Sequence, residues 1–70
     1  MLRHDESYYV MLADRGIRDG DSNCLVHSQM LLEHFRHRHK LKQRSAIEDV
    51  ETKIEFEARQ IERTLAAHKR

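Results

Sequence analysis

Hydrophobic positions along this chain recur at helical spacing. From Ile47 through Val50, Ile54, Ala58 and Ile61 to Leu65 the apolar steps are 3, 4, 4, 3 and 4, which marks one face of a helix. That spacing is closer to an 11-residue repeat than to a heptad, so it predicts a straight packed seam. On a helical wheel at about 100° per residue, Leu25, Leu32, Phe35 and Ala46 join this face within an arc of roughly 140°. Between Arg36 and Arg44 the stripe is interrupted, because His39 and Gln43 stand where apolar residues should sit. Three end signals coincide there: a basic run suited to a helix C-terminus, a Ser45-Ala46-Ile47-Glu48 capping box, and Glu48, Asp49 and Glu51 in a first turn. They predict two helices, about 23–40 and 45–67, in place of one continuous helix through a stretch that lacks Gly, Pro and Asn from Cys24 onward.

Upstream, residues 5–15 read as a short helix with Asp5 as N-cap and Glu6 at the positive end of the dipole. Gly16 is the expected stop, in a left-handed conformation that would lay Ile17 on Leu12. The nearly contiguous apolar residues from Tyr8 to Ala13 leave a short buried strand as the alternative. Residues 16–23 form the predicted loop, where Gly20 permits positive φ and Asp21, Ser22 and Asn23 all qualify as cap for the next helix. The same loop starts like a calcium-binding loop. It then places Cys24 where a Gly and Met30 where a bidentate Glu would be needed, so turn and cap chemistry is the reading kept.

The fold class expected is all-α, a single small domain over residues 1–70: a short N-terminal helix followed by an antiparallel helical hairpin. Composition agrees, with no Pro, no Trp, two Gly and 36% charged residues. A chain of 70 residues buries only roughly 60% of its surface, and Leu, Ile, Val and Phe supply 16 of the residues. A hairpin this small cannot cover both of its apolar faces, so pairing into a dimeric four-helix bundle is expected. Its core seam would be Leu25, Leu32, Phe35, Ile47, Val50, Ile54, Ile61 and Leu65.

Charge and cysteine content narrow the function classes. The formal net charge is +1, which argues against a general polyanion binder. No window approaches the ~20 apolar residues that span a bilayer, and Met1–Glu6 with the short apolar stretch after it does not resemble a secretory leader. One cysteine, Cys24, fits a reducing, cytoplasmic setting. No membrane association and no cofactor are expected.

Candidate chemistry is sparse. His34 to Arg44 packs five permanent cations and three histidines into 11 residues, and Arg36, Arg38, Lys40, Lys42 and Arg44 could neutralise phosphates. The competing reading is a solvated helix end whose cations stabilise the dipole, and no base-reading motif accompanies the run. Cys24 with His27, and His34 with His37, have the i, i+3 spacing of metal ligands, but the two pairs are too far apart to share an ion, and no metal site is expected. Cys24 beside His27 is the lone nucleophile–base candidate, and a small buried packing cysteine is the preferred reading. Glu55, Arg59 and Arg63 are spaced for salt bridges on an outer face, worth about 0.3–0.5 kcal/mol each.

Val26, Met30 and Phe56 fall off the main stripe, with Phe56 roughly opposite Ile47 and Leu65. Either the Tyr8–Leu12 segment covers them or another molecule does. The functional expectation is a non-enzymatic module that binds and modulates a larger protein through an amphipathic helix face, with Tyr8, Tyr9, Val26, Met30 and Phe56 at the contact. A nucleic-acid-binding helical hairpin dimer using segment 36–44 is the alternative.

Overall fold

A computed structural model describes residues 1–68 and consists of three helices: α1 (Glu6–Asp19), α2 (Ser22–Arg38) and α3 (Arg44–His68). Among the described residues there is no strand, so Tyr8–Ala13 is helical. The all-α expectation holds, and the break between the two longer helices falls at residues 39–43.

Gly16 does not end the first helix, contrary to the sequence reading. α1 continues four residues past Arg15, and no glycine has positive φ. Packing explains the difference. A Cβ on Gly16 would overlap Ser28 Oγ and stand 3.1 Å from Cys24 Sγ and 3.2 Å from Ile61 Cγ2, so the missing side chain serves close approach of α1 to α2. Ile17 consequently stays exposed and does not lie on Leu12. The expected loop 16–23 contracts to Gly20 and Asp21. Of the three candidate caps the structure selects Asp21, whose Oδ1 accepts from Cys24 N at 2.9 Å.

At the other end of α2 the backbone tightens: Lys40 N donates to His37 O at 3.0 Å and Leu41 N to Arg38 O at 3.1 Å, i→i+3 bonds of the kind that close a helix. Leu41 folds back against the core. α3 begins at Arg44, so Ser45 is already helical and is not the N-cap.

The helices run up, down and up. Contacts of Tyr9 with Phe35 and of Glu6 with His39 set α1 antiparallel to α2. Arg38–Glu51 and His27–Glu57 set α2 antiparallel to α3. The bundle measures 42 × 18 × 18 Å, close to the ~37 Å expected of a 25-residue helix.

Buried within it are Tyr9, Leu12 and Ala13 of α1, Cys24, Leu31 and Phe35 of α2, and Val50, Ile54, Ala58, Ile61 and Leu65 of α3. The α1 residues thus pack on the hairpin within one chain. The α2 face also differs in phase. Its buried residues are Cys24, Ser28, Leu31 and Phe35, whereas Leu32 and Ile47 are half-buried and Leu25 is exposed.

Candidate protein-interaction face

Four acidic residues of α3 are engaged by other segments, while Glu48 and Asp49 in its first turns stay exposed. Between Glu51 and Glu62 the helix carries four glutamates, and each has a partner on another segment. Glu51, buried, accepts from Arg38 Nε at 3.1 Å and Nη2 at 2.8 Å, and the Met1 amine lies 3.2 Å away. Those Arg38 hydrogen bonds, aided by the Met1 amine, hold its carboxyl below the ordinary carboxylate range against the opposing effect of burial. Glu55 accepts from the Tyr9 hydroxyl at 2.9 Å and from Arg3 N at 2.7 Å. Glu62 accepts from the Tyr8 hydroxyl.

Glu57 is buried against α2, with His27 Nδ1 2.6 Å from its Oε1 and His34 Nε2 3.9 Å from its Oε2. Two histidines at i and i+7 thus bracket one carboxylate. The sequence reading paired each histidine within its own helix and missed this cross-helix arrangement. Cys24 instead faces the Gly16 crossing and His37 is exposed. Among the described residues no group of three or more His, Cys, Asp or Glu is placed to hold a metal ion. Burial pushes the Cys24 thiol pKa up, with Asp21 adding to the rise. The neighbouring Ser28 hydroxyl opposes that rise.

With Glu51, Glu55, Glu57 and Glu62 engaged by other segments, the middle of α3 presents cations outward. Lys53, Arg59 and Arg63 are exposed and, among the described residues, make no ion pair. The expected Glu55–Arg59 bridge is absent because Tyr9 holds the glutamate. Phe56 stands among these cations, 58% exposed, with Met30 (42%) and Val26 (52%) exposed on α2. Met30, His34, Thr52, Lys53, Phe56 and Glu57 line a shallow groove between the two helices.

The N-terminal segment does not cover Phe56. Tyr8 and Tyr9 dock on Glu62 and Glu55, which lie about 100° around α3 from Phe56. Tyr9, expected at the partner contact, is fully buried against Phe35 with ring centroids 5.3 Å apart, and Tyr8 is half-buried. Of the five residues assigned to a partner surface, Val26, Met30 and Phe56 are the exposed ones.

The basic segment is less uniform than its sequence. Arg38 is half-buried on Glu51, and Arg36 pairs with Glu33 at 2.9 Å. Lys40, Lys42 and Arg44 are exposed with no ion pair among the described residues. His39 Nε2 reaches Glu6 at 3.0 Å and ties the α2 end to the start of α1. No described helix is long and apolar enough to cross a membrane. No protein-family model matches the chain, and no curated protein or solved structure matches it significantly.

Proposed function

We propose that this chain is a small non-enzymatic interaction module that binds and modulates a larger protein through the outer face of α2 and α3. The observation supporting this reading is Phe56, more than half exposed and sharing a groove with Met30, in a bundle whose core takes in Tyr9, Leu12 and Ala13 of α1. Large apolar side chains grouped on a surface are the usual anchors of protein contacts. Homodimerisation, expected from an incomplete hairpin core, loses that support once Tyr9, Leu12 and Ala13 provide the cover.

A second reading has a narrower basis. Lys40, Lys42 and Arg44 at the α2–α3 turn are exposed and make no ion pair among the described residues, so they could meet phosphates there. Arg38 is committed to Glu51 and drops out of that set.

Affinity co-purification from native lysate, with and without nuclease, tests both readings. The wild-type chain should retain a discrete protein through nuclease and high salt, and Phe56→Glu should lose it while its helical circular dichroism is unchanged. Equal recovery by Phe56→Glu would sink the interaction reading. Nuclease-sensitive, salt-labile recovery abolished by Lys40→Gln, Lys42→Gln and Arg44→Gln together would replace it with the nucleic-acid reading.

A further inference from the structure

We infer that the segment received by this face is an acidic amphipathic helix of the partner protein, an inference that rests on the interaction reading above. It follows from charge segregation on α3. Glu51, Glu55, Glu57 and Glu62 are all engaged by α2 or the N-terminal region, while Lys53, Arg59 and Arg63 remain outside without ion pairs among the described residues. An amphipathic helix usually interleaves both signs on its solvent face. Here four carboxylates are drawn toward other segments, leaving Lys53, Arg59 and Arg63 as a cationic stripe. From Lys53 to Arg63 it extends about 15 Å, three turns of helix, with Phe56 between its ends. Asp49 lies beyond the Lys53 end, so the stripe itself contains no exposed carboxylate except that of Glu62, which the Tyr8 hydroxyl holds.

The apolar part of the face selects among anionic partners. Met30 and Phe56, which line one groove, gain by burial against aliphatic or aromatic side chains, at about 25 cal/mol per Å², and gain nothing from phosphates. A helix with Leu or Phe at i and i+4, flanked by Glu or Asp, would bury these residues and set its acids opposite Lys53, Arg59 and Arg63. A second copy fits poorly. In a two-fold dimer through this face the two cationic stripes would be brought together, and like charges repel.

Fluorescence anisotropy with the full chain tests the inference. The probe is a labelled synthetic helix of about 15 residues, long enough to match the stripe, with Leu at i, i+4 and i+7 and Glu elsewhere on the flanks. Its control replaces every Glu by Lys. The acidic peptide should bind at least about tenfold tighter than the basic one and weaken as salt rises. Lys53→Glu, Arg59→Glu and Arg63→Glu together should reverse the preference, and Phe56→Ala should weaken both peptides.

Equal binding of the two peptides would overturn the inference. So would tighter binding of a labelled single-stranded oligonucleotide lost in the same triple variant, or a dimer in sedimentation that Phe56→Glu dissociates. If Phe56→Glu loses the native partner while the triple charge reversal keeps it, the acidic-helix inference fails and the interaction reading stands. If neither variant loses it, both fail.

Discussion

Ser28 Oγ on α2 occupies the space that a Cβ on Gly16 of α1 would need. The two helices therefore meet through a glycine and a buried hydroxyl that has no hydrogen-bond partner among the described residues. Gly16→Ala should destabilise the bundle by about 1–2 kcal/mol, because overpacking at the crossing outweighs the ~1 kcal/mol gained in helix propensity. Ser28→Ala alone should be neutral or mildly stabilising, since it removes an unsatisfied buried polar atom. In the double variant the loss should shrink, with the residue coming from Cys24 Sγ and Ile61 Cγ2 at 3.1 and 3.2 Å. Urea denaturation of the four proteins gives the coupling directly. Additive effects would mean that the two side chains do not meet.

The tyrosines of α1 predict an alkaline limit. Tyr8 is pushed up to about 12 from the ordinary 10.0, first by its hydrogen bond to Glu62 and then by burial. Tyr9 is raised by burial, with its bond to Glu55 adding. A raised folded pKa means that the native state holds these protons more tightly than the unfolded chain. Their contribution is complete below pH 10.0 and is lost as pH climbs through the folded values. Stability should therefore decline between pH 10 and about 12, and the decline should be shallower in Tyr8→Phe. Tyrosinate absorbance should rise later than for a free tyrosine, and titration of both residues near 10 would contradict these contacts.

Arg38 and Glu51 predict the opposite limb. Hydrogen bonds from Arg38, reinforced by the Met1 amine, lower the Glu51 pKa from 4.5. A depressed folded pKa stabilises the protein above the unfolded value and ceases to do so as pH falls through the folded one. Arg38→Gln should cost about 1–3 kcal/mol near neutral pH, since it strips charged hydrogen bonds from a buried carboxylate. The gap to wild type should close as the solution is acidified below 4.5. A gap that persists into acid would show that Arg38 acts through packing and not through Glu51.

Helix content and the α2–α3 break were legible because they depend on short-range signals: apolar spacing over Ile47–Leu65, the absence of breakers, and clustered end signals near Arg44. Gly16 misleads for a physical reason. A glycine suits a C-cap and a close helix crossing equally, and which use prevails depends on what packs against it, here Ser28 and Cys24 from another helix. The same crossing hides the α2 core face. Cys24, Ser28, Leu31 and Phe35 follow i, i+4, i+7, i+11 spacing, yet a scan for large apolar residues passes over Cys24 and Ser28 and selects Leu25 and Leu32. Phe56 is visible as an outlier on the wheel, but its exposure depends on which side of α3 receives α1. That is decided by Tyr8 and Tyr9 reaching Glu62 and Glu55, contacts about 50 positions apart that no local pattern encodes.

Glu57 offers a test of how α2 and α3 are held in register. The carboxylate is 3% exposed and its nearest partner is His27, at 2.6 Å, with His34 farther off at 3.9 Å. A buried carboxylate that loses its partner is costly, whereas an apolar side chain of similar length in the same place can be nearly neutral. His27→Ala should therefore destabilise by about 1–3 kcal/mol, and Glu57→Met by less, because the methionine refills the space and both imidazoles remain part-exposed. His34→Ala should cost less than His27→Ala in proportion to its longer contact. Combining His27→Ala with Glu57→Met should recover most of the His27→Ala loss, since no orphaned charge remains. Denaturant midpoints rank the four variants, and a His34→Ala loss as large as that of His27→Ala would place the anchoring contact at the other imidazole.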